Sequence, residues 1–486
     1  MITFALRKIM KNIFTKFPKT FWVANTAELI ERLAWYGFYM IFANYLTKST
    51  DLGALGFSQE EKGWIMGIGT SLLYALPIIT GTIADKLGYK KILLLSFVIY
   101  MSGFLMLGKV TGFYSVFSVF LYIAIGGALF KPIISATIAK TTTKETSSIG
   151  FGIFYMMVNI GSFIGPLFTI ELREISWYSV FVFTAGVFLI NVLLISFFYK
   201  EPDREISEND LLTDIKASLK NITVALSDFK FVIFLILIIG FWSMYYQLFF
   251  SLPVFIDQWV DTTILFNKIH ELSPSLAELI GTAQGTIEAE KLTNIDAFYI
   301  IIFQLIISTM VMRMRPINAM ITGIMIASIG IGLMFISMNS IYLVFSILIF
   351  AVGEMSSSPK ITEYIGRIAP KDKVALYMGM SFLPVAGGSF FAGILSGNVY
   401  GNMSDKINIL KAESAERLLN LPEISATYTQ NNFIADFLQK TGMNASELNS
   451  FLWDKYHPYN ILFVFAGIGF STAIGLLLYD KFLTKK

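Results

Sequence analysis

TFWVANTAELIERLAWYGFYMIFANYLT, residues Thr20 to Thr47, sets two carboxylates and a guanidinium inside an apolar stretch long enough to cross a bilayer. Glu28, Glu31 and Arg32 stand three and four residues apart, so a helix presents them on one face. A charge at bilayer depth costs at least ~3 kcal/mol on insertion scales, and residues of this kind usually face a water-filled path or a proton relay. The stretch therefore predicts a membrane-spanning helix of a transporter.

The rest of the chain agrees. Of its 486 residues 55% are hydrophobic, only 15% are charged and 45 are Phe, a composition foreign to soluble domains. Apolar runs of roughly 20 residues predict an all-α membrane protein with about twelve spans, at 20–48, 60–86, 90–109, 114–140, 148–171, 177–199, 230–257, 296–313, 317–338, 341–367, 374–400 and 458–480. Basic residues concentrate in cytoplasmic loops. With the N-terminus inside, Arg7, Lys8, Lys11, Lys16, Lys19, Lys86, Lys90, Lys91, Lys200, Arg204, Arg313, Arg315, Arg367, Lys371, Lys373, Lys481, Lys485 and Lys486 all fall on the inner side. The opposite short loops hold few, such as Lys48, Lys109 and Arg173. Both termini are expected in the cytoplasm. The first twenty residues form a basic amphipathic stretch without the apolar core and small-residue cleavage site of a signal peptide.

A net charge of +3 mostly reflects this topology and gives no reason to expect a nucleic-acid partner. The absence of cysteine excludes disulfides, thiol catalysis and Cys-ligated metals. His270 and His457 fall in predicted outer loops, away from any proton path. The spans hold neither a nucleophile–base set nor a metal-ligand cluster, so the expectation is a protein that is not an enzyme, has no cofactor or metal, and draws its energy from a proton gradient.

Residues 1–200 form a first six-span half, 201–228 a polar cytoplasmic linker, and 229–486 a second half with outward-facing insertions at about 262–295 and 401–457. Two bundles with a site between them is a transporter layout. The second insertion contains helical patterns, Ala415–Leu419 and Asn432–Lys440, so it can fold as a cap; a tolerated surface insertion without a transport role is the expectation.

GTIADKLGYKK, Gly81 to Lys91, lies where the second span leaves the membrane. Its glycines allow close helix approach, Asp85 can cap or pair at a neighbouring helix end, and the lysines anchor the interface. The segment resembles the loop between spans two and three of the major facilitator superfamily. E-x-x-E-R followed by an aromatic pair and Gly resembles the first-span motif of the proton-dependent oligopeptide transporter family. Further matches follow in order: ALFKP at 128–132, FYMMVNIGS at 154–162, FWSMYYQ at 241–247, and GEMSSSP at 353–359 followed by APKDKVALYMGMSF. The resemblance covers nearly all spans and implies a major facilitator fold of two six-helix bundles.

Glu28, Glu31, Arg32, Lys131 and Glu354 fall within spans and sum to one negative charge, which one proton neutralises. Desolvation raises a carboxylate's proton affinity and a neighbouring cation lowers it, so pairing that switches with conformation switches protonation. A static salt-bridge network that only packs helices is the alternative, and such networks are weak stability devices. The resemblance implies that Arg32 and Lys131 hold a peptide carboxylate and Glu354 its amino end, with Lys131 exchanging partners during coupling. Arg offers a planar fork to a carboxylate, and an acid complements an ammonium. Tyr36, Tyr74, Asn159 and Trp242 match pocket positions of the family. Asp85, Asp257 and Asp296 are the gate candidates: Asp257 matches a position linked to the outer gate, and Asp296 stands where the family commonly has Asn and reads as an interfacial acid. Lys360 is expected to snorkel to the cytoplasm rather than pair with Glu363.

The chain departs from the family pattern at Tyr246, where an acid before Gln is usual, and at Trp35, Ile133 and Ser381. These changes surround the pocket and spare the charge set, so they question the substrate more than the coupling. The expectation is a divergent proton-coupled symporter of di- and tripeptides, acting as a monomer in a bacterial inner membrane with peptide, protons and the lipid bilayer as its partners. A transporter of another small solute, such as an anion or amphipathic drug, and a non-transporting receptor that uses 401–457 are the alternatives.

Overall fold

The computed structural model describes residues 16–143, 145–204, 207–370 and 373–484. Arg7, Lys8, Lys11, Lys371, Lys485 and Lys486, part of the basic pattern used for orientation, lie outside the described residues. The first half runs through α1 (Lys19–Thr47), α2 (Gln59–Ala75), α3 (Pro77–Leu87), α4 (Tyr89–Leu107), α5 (Phe113–Lys140), α6 (Ser147–Ile175) and α7 (Trp177–Phe198). The linker forms one helix, α8 (Leu211–Leu226). The second half continues with α9 (Phe229–Tyr245), α10 (Gln247–Phe250), α11 (Leu252–Trp259), α12 (Thr263–Leu272), α13 (Pro274–Ile280), α14 (Ala289–Thr293), α15 (Ile295–Val311), α16 (Pro316–Met334) and α17 (Ser340–Ile368). It closes with α18 (Val374–Gly379), α19 (Phe382–Ile394), α20 (Tyr400–Met403), α21 (Lys406–Glu416), α22 (Gln430–Thr441), α23 (Ala445–Tyr456) and α24 (Ile461–Tyr479).

Helices occupy the twelve expected positions in order, several of them broken. Among the described residues ten segments are long and apolar enough to cross a membrane, and the α2–α3 pair, bent by 45° where Pro77 begins the second helix, makes up to eleven. α1, expected as the first span, is long enough but falls short of that apolarity, because Glu31 and Arg32 sit at its middle. Span seven, expected to be continuous, breaks at Tyr246 and Ser251 into α9, α10 and α11. Pro253 contributes to that break, because it has no N–H to offer the preceding turn.

α1 packs along α6 and α7, α4 along α5 and α7, and α16 between α17 and α24. The halves meet where α2 crosses α19. A Cβ added at Gly63 would stand 2.3 Å from the Gly393 carbonyl oxygen, and one at Gly393 would stand 2.6 Å from the Gly67 Cα, so glycine is what lets these two backbones touch.

One end of the bundle carries the linker. There Lys86 donates to the carbonyls of Ser207 and Asn209, and Thr82 hydrogen bonds to Ser218 of α8 at 2.8 Å. Gly88, at φ 110°, makes the turn between α3 and α4 in a conformation that L side chains rarely adopt. Both insertions lie at the opposite end, where residues 261–264 and 445–453 line one surface hollow.

Candidate functional site

α1 delivers three charges to the interior of the first half. Glu28, Glu31 and Arg32 are 6%, 0% and 4% exposed. The Arg32 Nε lies 3.2 Å from the Glu28 carboxylate, and the same guanidinium pairs with Glu31. Glu31 also accepts a 2.9 Å hydrogen bond from the Tyr100 hydroxyl, whose ring stacks on Phe188 at 4.2 Å. Aromatic walls keep water from this triad, and each interaction is correspondingly stronger than at a surface. Two acids and one base leave it with one uncompensated negative charge.

Lys131 stands on α5 beside Pro132, within electrostatic reach of Glu28. Its ammonium sits 4.8 Å from the centre of the Tyr74 ring and makes no ion pair among the described residues. Pro132 has no N–H for the Ala128 carbonyl, and the Thr80 hydroxyl donates to that carbonyl at 2.6 Å instead. The carbonyl left open beside Lys131 is thus satisfied from α3.

Between the halves lies a cavity of about 310 Å³. Tyr36, Tyr74, Asn159, Trp242 and Glu354, five of the expected binding residues, line it. Arg32 and Lys131 do not: they stand one layer back, against the rings of Tyr36 and Tyr74. Of the four departures from the family pattern, Trp35, Tyr246 and Ser381 face the cavity, while Ile133 is buried elsewhere. Trp242 Nε1 and Glu354 Oε2 are buried without hydrogen-bond partners, so a ligand with polar groups has donors and acceptors waiting for it.

Asp296, read from sequence as an interfacial acid, is 5% exposed and lines the same cavity. The correction has a physical cause. The eighth span begins with α14 at Ala289, earlier than the expected 296, because the charges of Glu290 and Lys291 are neutralised by partners on α6. That moves Asp296 inward from the membrane surface.

The end that carries the insertions is closed by charge. Lys48 binds Asp257 at 2.7 Å, Arg173 binds Glu288 and, at 2.7 Å, Glu290, and Lys291 binds Glu171 at 2.5 Å. Asn44 adds a 2.8 Å hydrogen bond to Glu290. All ion pairs that join the two halves among the described residues lie here. Asp85, the third gate candidate, is instead exposed at the linker end, where it accepts from the Tyr89 hydroxyl at 2.7 Å and its own carbonyl accepts from Arg204. Lys48→Ala is expected to loosen the closed end by about 1 kcal/mol, the usual scale of a partly exposed pair. Probes on the two halves at this end should then report a larger open population, and an unchanged population would leave the pair without a gating part.

Sequence reading missed Lys62. It is 0% exposed on α2 and donates to Gln59 Oε1 and to the Phe250 carbonyl, each at 2.7 Å. The break between α10 and α11 leaves that carbonyl for a donor from outside the helix. A lone lysine in the run QEEKGWIMG was the available signal, but its partner lies in the other half. The 401–457 insertion also joins the halves: Asp405 accepts from Gln59 at 2.8 Å, and Asn431 donates to Asp51 at 2.7 Å. Within it Lys455 contacts Glu413 and Glu416, both at 2.7 Å, and these carboxylates raise the lysine above its ordinary range. Lys360, expected to snorkel, pairs with Glu363 at 2.7 Å, because the two stand one helical turn apart on α17.

Residues 26–259 match the model of the Major Facilitator Superfamily. The chain is 26% identical to dipeptide and tripeptide permease A of Salmonella typhimurium over 479 residues, covering 84% of this chain and 93% of that protein. It is 34% identical to the uncharacterized transporter YclF of Bacillus subtilis over 164 residues, about a third of either protein (32% and 31%). A crystal structure of a POT family transporter in complex with 5-aminolevulinic acid superposes with a TM-score of 0.69 at 17% identity, covering 97% of this chain and 99% of that one. The nucleoside transporter NupG shares the architecture at a TM-score of 0.66 and 13% identity, covering 95% and 99%. Fold and sequence matches together define an integral membrane transporter of the major facilitator superfamily. Within it the chain is similar in sequence to dipeptide and tripeptide permeases and in fold to POT family transporters.

Proposed function

We propose that this protein is a proton-coupled symporter that carries di- and tripeptides inward by alternating access. The observation that carries the reading is the buried Glu28–Glu31–Arg32 triad, one negative charge in excess, beside Lys131 and a cavity whose far wall holds Glu354. A zwitterionic peptide brings a carboxylate for Lys131 and an ammonium for Glu354 whatever its side chains, and about 310 Å³ suits a small ligand. When the peptide carboxylate draws Lys131 away from Glu28, that acid takes up a proton; when Lys131 returns, the proton leaves. Proton and peptide then shift the conformational equilibrium together, because each binds the two states differently.

The linker end is assigned to the cytoplasm of a bacterial cell and the closed, insertion-bearing end to its exterior, with a monomer as the working unit. The names of similar proteins support the peptide reading, since permease A of Salmonella typhimurium is named for di- and tripeptides. Tyr246 and Ser381 on the cavity wall favour a second reading, another small solute carried by the same machinery. Lys131→Ala and Glu354→Gln, assayed with wild type in the same vesicles, decide the reading. Gradient-driven uptake of dialanine is expected to vanish in both variants, and wild-type rates in both would sink the assignment.

A further inference from the structure

α15 brings a second acid into the cavity, opposite Glu354 of α17. Asp296 is 5% exposed, and its carboxyl lies within hydrogen-bonding reach of the Glu354 carboxyl, which the Tyr245 hydroxyl also approaches. Ionised carboxylates are acceptors only, so a contact between two of them forms when one holds a proton that the pair shares. Asp296 Oδ1 and Glu354 Oε2 nevertheless remain buried without partners, two acceptors aimed at whatever fills the cavity. The titratable groups that face the pair are hydroxyls: Tyr36 of α1, Tyr155 of α6 and Tyr245 of α9. Neither acid makes an ion pair with a Lys, Arg or His among the described residues. Arg32 and Lys131 stand behind Tyr36 and Tyr74, on the first-half wall.

We propose that Asp296 and Glu354 form a dicarboxylate clamp that selects substrates whose amino end carries two cationic groups, as in a peptide that begins with Lys. The proposal rests on the peptide reading and extends it to a substrate class. With a singly charged ammonium the pair keeps its shared proton and its single negative charge. With a doubly charged amino end the proton passes to water, and two negative charges meet two positive ones. Asn in place of Asp296 would hold a neutral amide there and could not make this exchange.

Calorimetric titration of the purified protein in two buffers of different ionisation enthalpy tests the clamp. Lys-Ala and Ala-Lys are the peptide probes, and putrescine against butylamine the non-peptide ones. The wild type is expected to bind Lys-Ala about tenfold more tightly than Ala-Lys, the scale of one charge-assisted contact, and to release more protons with Lys-Ala. Asp296→Asn should bring the two affinities together and remove the extra release, its binding of Ala-Lys showing that the variant is folded. Equal wild-type affinities, or a preference that survives Asp296→Asn, overturn the clamp while peptide transport stands. Putrescine preferred through Asp296 with both peptides inert would keep the clamp and overturn the peptide reading. Silence from all four probes overturns both.

Discussion

Glu31→Gln is expected to abolish proton-driven accumulation while leaving the fold intact. The amide keeps the shape of the acid, and its oxygen can still accept from Tyr100. What disappears is one of the two negative charges that face Arg32. Removing one partner of a buried ion pair is worth about 3–5 kcal/mol, and even 3 kcal/mol of altered coupling exceeds a ~100-fold change in rate. Arg32 would then pair with Glu28 alone, and the triad would be neutral before any proton arrives. Uptake driven by an imposed gradient should fall to background, while exchange of labelled for unlabelled substrate at equal pH persists, because exchange needs no net proton movement. Undiminished gradient-driven uptake would show that the triad only packs helices.

The second large effect is conformational. In Gly393→Leu the new Cβ would stand 2.4 Å from the Gly63 carbonyl oxygen and 2.6 Å from the Gly67 Cα. Both neighbours are backbone and cannot turn aside. Overpacking of this kind costs about 3 kcal/mol at the upper end of its usual range, which moves a two-state population by roughly a hundredfold. The crossing of α2 and α19 belongs to the closed end, so the variant should rest with that end open and transport should stall. The chain has no cysteine, so a spin-labelled cysteine pair at Thr50 and Lys268 reports this end without background. A distribution shifted to longer distance is the expected result. An unchanged distance with normal transport would mean that the crossing yields more readily than backbone contact allows.

Much of this molecule is legible in its sequence because membrane spans are written in composition and local spacing. Glu28, Glu31 and Arg32 share a face through the helical period alone, and the structure finds them joined. Tyr36, Tyr74, Asn159, Trp242 and Glu354 come from motif resemblance and converge on one cavity from separate spans. What stays hidden depends on partners in the other half. Glu290 and Lys291 read as the polar end of a loop, since nothing local shows that Arg173 and Glu171 neutralise them. Asp296 is misplaced with them. Lys62 looks like a residue at a membrane surface, and its burial follows from a carbonyl that a break in a distant helix leaves open. The 401–457 insertion shows its helical patterns, but not that Asp405 and Asn431 tie it to the first half.

Proton-coupled peptide transport is tested most directly by uptake of labelled dialanine into liposomes that contain the purified protein, under an inward proton gradient, with and without an uncoupler. Accumulation above equilibrium that the uncoupler removes is the predicted result. Uptake that ignores the uncoupler, or none with dialanine and a panel of longer peptides while the protein remains folded, would contradict it and turn the search to other solutes that fit the walls formed by Tyr246 and Ser381.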